Sequence, residues 1–207
     1  MRVLLKFSNA VDWLNTLIGK HVIWLILAST VISGVNAIVR KVFNISSNAY
    51  LEVQWYLFAA SFLIAAGYTL LQNEHVRIDV LSSRLSKRGQ MWVDIVGFVF
   101  FLTPVCVALL YYGTPFFIRG LVSGEMSSNA GGLIRWPVYA MIPLGFALLL
   151  LQCWSELIKR VAFLKGLIED PTAKKAEKTA EEELAEAIVR LAEAKNKAVT
   201  NAVNGAA

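Results

Sequence analysis

Four long apolar runs set the limits on what this chain can fold into: residues 21–39, 50–71, 91–112 and 137–158. Each run is close to the roughly 20 residues that an α-helix needs to cross a hydrocarbon core of about 30 Å. A water-soluble helix would interrupt a run of this length with polar residues, because one of its faces meets solvent. The sequence therefore predicts an all-α membrane protein with four transmembrane helices.

Composition agrees with a membrane protein, since 57% of the residues are hydrophobic, 17% are charged and the net charge is +5. The basic residues cluster beside the ends of the apolar runs, which suits anionic lipid headgroups better than nucleic acid. Both cysteines, Cys106 and Cys153, fall inside apolar runs. We expect them to pack as small apolar residues rather than to form a disulfide scaffold.

The first 19 residues have a helical period but no continuous apolar run. Apolar residues recur every three or four positions, and polar residues fill most of the remaining circumference. This pattern predicts an amphipathic helix over residues 1–19 that lies in the bilayer interface, anchored by Trp13. Packing of this helix on a partner protein is the alternative. The apolar run continues to Val39, so we expect an uncleaved first span rather than a signal peptide.

The distribution of Lys and Arg predicts the orientation. Ten basic residues fall on the side that holds the amino terminus, the second loop and the region after the last run, against four on the other side. Both termini are therefore expected in the cytoplasm. After Pro171 the chain becomes rich in Ala, Glu and Lys, which predicts a charged cytoplasmic helical tail over residues 166–207 that follows a membrane domain of residues 20–165. This tail either docks on a partner or is solvated.

Residues in and beside the apolar runs suggest packing and anchoring roles. Small side chains let helices approach closely, and we expect this of Ala59, Ala60, Ala66 and Gly67. Aromatic side chains suit the lipid interface, which we expect of Trp13, Trp24, Tyr56 and Trp136.

Polar residues flank the second run at both ends. Glu52, Gln54 and Trp55 precede its centre, and we expect them in a subunit interface or a structural role. Beyond its other end, His75 and Asp79 stand four residues apart with Arg77 between them, so they either fix a cytoplasmic loop or are solvated.

The apolar runs contain few residues that could catalyse a reaction or bind a cofactor. The chain has two histidines, His21 and His75, and both lie at the ends of apolar runs, where they suit neither haem nor zinc. The sequence has no phosphate-binding glycine motif and no nucleophile elbow. We therefore expect no enzymatic activity, no cofactor and no metal.

Taken together, these motifs resemble those of the small membrane subunit, DctQ type, of the tripartite ATP-independent periplasmic (TRAP) transporters. The resemblance covers residues 1–165 and rests on Glu52 at the start of span two, the small residues along that span, the segment 75–79, and Gly131-Gly132 to Trp136-Pro137 before span four. Gln54 departs from the family pattern, in which a second acidic residue often lies nearby.

The resemblance implies a scaffold subunit in a bacterial inner membrane, without chemistry of its own. Its partners would be a large multi-span subunit, which holds the substrate and sodium sites, a periplasmic binding protein that delivers an organic acid, and membrane lipids. The alternative is a self-sufficient small transporter or channel that oligomerises, with Glu52 in its pathway.

Overall fold

The computed structural model describes residues 1–44, 47–73 and 85–171. Within these ranges the chain forms helices α1 (Arg2–Phe43), α2 (Asn48–Gln72), α3 (Lys87–Gly97), α4 (Thr103–Ser123) and α5 (Trp136–Leu164), with a π-helical turn (Phe98–Leu102) joining α3 to α4. Four stretches are long and apolar enough to cross a membrane: α1, α2, the continuous α3–α4 segment and α5. The predicted all-helical fold with four apolar helices is confirmed.

The chain divides into two units, residues 1–169 and residues 170–207. All five helices belong to the first unit. Residues 172–207, which carry most of the predicted helical tail, lie outside the described residues.

Helix α1 runs without a break through residue 19, where the sequence suggests that an interfacial segment ends. Its 42 residues correspond to about 60 Å at about 1.5 Å per residue, twice the thickness of a hydrocarbon core. Gly19 does not end the helix; it lies so close to the Tyr68 ring of α2 that a β-carbon would overlap the ring. Placement of residues 1–19 along the bilayer surface stays a prediction.

The third apolar stretch is longer than the sequence suggests, because α4 continues past residue 112 to Ser123. Pro115 lies inside this helix, where it removes one backbone hydrogen bond without ending the helix. The connection to α5 is consequently a short loop of residues 124–135.

Helix α5 is the centre of the bundle, since it packs against every other helix. It runs parallel to α2, and two glycines allow their backbones to approach closely. Gly145 of α5 lies against the Leu63 carbonyl of α2, and Gly67 of α2 lies against the Leu148 carbonyl of α5. Contacts of this kind between backbones are typical of helix packing in membranes, where small residues replace the hydrophobic effect as the basis of association.

Candidate functional site

One face of α2 holds the loop between α4 and α5. Asn48, Glu52 and Tyr56 are spaced four residues apart, so they share a face of the helix. All three side chains bond to residues in the loop 124–135. We call these three side chains and this loop the loop clasp.

Glu52 is the centre of the loop clasp, and only 3% of its surface is exposed. Its Oε1 atom accepts hydrogen bonds from the Ser127 hydroxyl and from Nδ2 of Asn129, the latter at 2.8 Å. Its Oε2 atom accepts one from the backbone N–H of Leu133 at 2.7 Å. The carboxylate is thus engaged by three donors of its own chain.

Two weaker bonds extend the contact along the same face of α2. Nδ2 of Asn48 donates to the Ala130 carbonyl at 3.3 Å, and the Tyr56 hydroxyl donates to the Ile134 carbonyl at 3.2 Å. The three α2 side chains therefore span most of the loop.

The loop also has bonds of its own that give it a hairpin-like shape. The Ser127 N–H donates to the Leu133 carbonyl at 2.9 Å, and Gly131 adopts a φ of +71°, which favours glycine. At the loop surface Arg135 pairs with Glu125 at 2.9 Å. Hydrogen bonding to Tyr139 first, and to Glu125 second, raises the pKa of the Arg135 guanidinium, so it stays charged.

A second polar site joins the first half of α1 and the last turn of α3 to the last half of α5. We call it the polar cluster, and it consists of Ser8, Asp12, Asn15, Asp94, Gln152, Ser155, Glu156, Lys159 and Arg160. Three carboxylates and two cations give it a formal charge of −1.

Asp12 connects α1 to α5 through three side chains. Its carboxylate accepts hydrogen bonds from Gln152 at 2.9 Å and Ser155 at 2.8 Å, and it pairs with Lys159 at 2.9 Å. Asn15 adds a bond from its Nδ2 to Gln152 Oε1 at 2.9 Å. Ser8, Asp12 and Asn15 of the amino-terminal segment thus face α5.

Arg160 connects α5 to α3 and is only 1% exposed. Its Nε donates to Asp94 at 2.9 Å, its Nη1 pairs with Glu156, and its guanidinium lies 4.6 Å from the centre of the Phe98 ring. A buried guanidinium needs partners of this kind, because an unpaired charge in the bundle would be costly.

The two polar sites lie at opposite ends of the bundle. Residues 136 and 160 of α5 adjoin the loop clasp and the polar cluster respectively, and 24 residues of helix correspond to about 36 Å. This separation is close to the thickness of a hydrocarbon core.

The other residues singled out in span two lie at several places. Gln54 accepts a hydrogen bond from the Ser29 hydroxyl through its backbone carbonyl at 3.2 Å, whereas Trp55 is 62% exposed. The small residues are buried or half-buried, with Ala60 and Gly67 buried and Ala59 and Ala66 half-buried. His75, Arg77 and Asp79 lie outside the described residues.

The aromatic residues expected at the lipid interface also differ in their surroundings. Trp13 and Trp24 are exposed, Trp136 is half-buried, and Tyr56 bonds to the loop as described above. Among the described residues, no group of three or more His, Cys, Asp or Glu side chains is arranged to hold a metal ion.

Comparison with known proteins adds one finding. The family described as "Tripartite ATP-independent periplasmic transporters, DctQ component" matches residues 29–163, which hold the last third of α1, all of α2 to α4 and most of α5. No curated protein and no solved structure gives a match. Because the match covers more than half of the sequence, this chain belongs to the DctQ family, the small component of TRAP transporters.

Proposed function

We propose that this chain is the static scaffold subunit of a sodium-driven, binding-protein-dependent transporter that imports an organic acid. It binds the large transport subunit, stabilises it and anchors it in a bacterial inner membrane, with both termini in the cytoplasm. A periplasmic binding protein delivers the acid. DctQ membership, over residues 29–163, carries this proposal.

The internal bonding of the charged residues supports a role without solute chemistry. Glu52, the best candidate for a pathway residue, is engaged by three donors of its own chain. A carboxylate that lines a transport pathway needs free coordination sites for the ion or solute. Glu52 is instead suited to holding the loop in one shape.

Large apolar side chains on the outside of the bundle support a role in binding lipid or another membrane subunit. On α3, the π-helical turn and α4, residues such as Trp92, Phe100 and Tyr112 are more than half exposed. The α3–α4 segment packs mainly on α5, with a smaller contact between Phe98 and Leu70 of α2. Its other faces are therefore open to lipid or to a membrane partner.

Reconstitution tests the proposal. The chain is expressed together with a large TRAP subunit from the same source, and the pair is purified by a tag on the small subunit. We expect a stable complex, and uptake of an organic acid into proteoliposomes that requires a sodium gradient, the binding protein and both membrane subunits.

Two results would overturn the proposal. Uptake by this chain alone would favour a self-sufficient transporter or channel, and its loss in Glu52→Gln would place that residue in the pathway. Full uptake by the large subunit alone would show that no scaffold is required.

A further inference from the structure

A polar groove lies on α1 at its carboxyl-terminal end, beside the start of α2. The groove has a volume of about 450 Å³. It is lined by Ser33, Asn36, Ala37, Arg40 and Lys41 of α1, by Asn44, which follows α1, and by Leu51 of α2. The polar members from α1 recur at helical spacing and so share one side of the helix.

The two cations of this groove have no acidic partner in the chain as described. In residues 1–44, 47–73 and 85–171, no ion pair or side-chain hydrogen bond is formed by Arg40 or Lys41. Both lie in the last turn of α1, where a cation is favoured by the helix dipole. The dipole does not explain why Ser33 and Asn36, one to two turns earlier in an apolar helix, face the same groove.

An apolar groove continues from the polar one toward the middle of the membrane. It has a volume of about 210 Å³ and is lined by Val31, Ile32, Val35, Asn36 and Val39 of α1 and by Tyr50 of α2. Asn36 lines both grooves. From Arg40 back to Val31 is about 14 Å of helix, about half the thickness of a hydrocarbon core and hence the depth of one leaflet.

We propose that the two grooves together bind one anionic phospholipid. Arg40 and Lys41 hold the phosphate, Asn36 and Ser33 donate hydrogen bonds to the oxygens between the phosphate and the acyl chains, and one acyl chain lies along Val35. The unpaired positive charge selects an anionic headgroup, because a zwitterionic lipid brings its own cation beside the two basic residues. The isolated chain should bind this lipid whether or not the complex transports a solute.

A lipid titration of the full-length chain tests the proposal. The chain is purified in a non-ionic detergent, stripped of lipid and titrated with phosphatidylglycerol while native mass spectrometry counts bound lipid. The double variant Arg40→Gln/Lys41→Gln should bind about 30-fold more weakly, which corresponds to about 1 kcal/mol for each basic residue near a membrane surface.

A matched control has the same loss of charge at the other end of the same helix. Arg2 and Lys6 are exposed, and Arg2→Gln/Lys6→Gln should leave the affinity within about 2-fold of the unchanged chain if binding is local. Val35→Trp keeps every charge but fills the apolar groove, so it should also weaken binding. Its side chain is 54% exposed, and the larger residue therefore fits without disturbing the bundle.

Four results would overturn the proposal. Equal losses in the two double variants would indicate general attraction between charges and not a site. Equal affinity for phosphatidylcholine with the same acyl chains would remove the role of the headgroup. Full binding by Val35→Trp, or displacement of the lipid by millimolar inorganic phosphate, would show that the acyl groove is not used.

Discussion

The closest approach between α2 and α5 gives a prediction that can be worked out from distances. In Gly145→Ala, the new β-carbon would lie 2.6 Å from the carbonyl oxygen and 2.8 Å from the carbonyl carbon of Leu63. Both are backbone atoms of α2, so no rotation of a side chain can relieve the overlap. The helices would have to separate by about 0.8 Å to reach 3.4 Å, where ordinary van der Waals contact begins.

The magnitude follows from two opposing effects. Alanine favours the helix over glycine by about 1 kcal/mol, whereas over-packing costs about 1–3 kcal/mol. The net effect is the over-packing cost minus the gain in helix propensity. Separation of the two helices also loosens the contact of Gly67 with Leu148, so we place this net cost in the upper part of the range that the subtraction allows. We expect Gly145→Ala to lower the free energy of unfolding by about 1–2 kcal/mol.

Gly34 is the matched control, because a β-carbon at this position of α1 meets nothing within 4 Å. Gly34→Ala should be neutral or stabilising by up to about 1 kcal/mol. Unfolding of both variants by sodium dodecyl sulfate in mixed micelles, followed by far-ultraviolet circular dichroism, gives the comparison. Equal or greater stability of Gly145→Ala relative to Gly34→Ala would refute the close parallel packing of α2 and α5.

Three further predictions concern the two polar sites and the tail. Glu52→Ala should increase hydrogen–deuterium exchange across the loop of the clasp, whereas Glu125→Ala, which removes an exposed ion pair and an exposed hydrogen bond from Tyr139, should change it little; unchanged exchange in Glu52→Ala would contradict the clasp. Arg160→Met removes the buried cation that pairs with both Glu156 and Asp94 and should lower the free energy of unfolding by about 3–5 kcal/mol, whereas Arg135→Met should have a small effect, as measured in the same micelles. Truncation after Asp170 should leave membrane insertion intact, checked by carbonate extraction, because all four apolar helices precede it.

The spans were predictable because the membrane itself sets their length. Any chain that crosses about 30 Å of hydrocarbon as a helix must supply about 20 apolar residues, and that requirement is visible in the sequence. The residues at which the helices end were less predictable from the sequence. Helix α4 passes Pro115 and α5 continues to Leu164, since polar residues at the bilayer surface are compatible with continued helix.

The sequence shows the amphipathic period of residues 1–19, but it does not show which face of this helix packs against the rest of the bundle. A rule from soluble proteins would turn the apolar stripe toward the core. In the structure the inward face is mixed: Asp12 and Asn15 bond to α5 and Val11 is also buried, whereas Leu4 and Phe7 are exposed. Buried polar side chains need hydrogen-bond partners, and those of Asp12 and Asn15 come from α5, which no period within residues 1–19 reveals.

Glu52 stood out in the sequence as an acidic residue inside an apolar run, but its partners did not. They lie 75 to 81 residues away in a loop whose shape depends on turns that no periodicity reveals. The four-residue spacing of Asn48, Glu52 and Tyr56 was the available signal. Arg160 was counted only as a charge that orients the chain, since its burial depends on α5 extending beyond residue 158.

The positions of the two polar sites bear on how such a bundle stays rigid beside a partner that moves. Apolar packing alone lets helices slide in lipid, because the hydrophobic effect that opposes sliding in water is missing. Bonds at only one end would still allow α5 to pivot about that end. With Glu52 holding the loop before α5 and Asp12 and Arg160 fixing its other end about 36 Å away, a pivot requires breaking polar bonds at one end. The proposed scaffold role therefore predicts that loosening either end alone impairs transport while the complex still assembles.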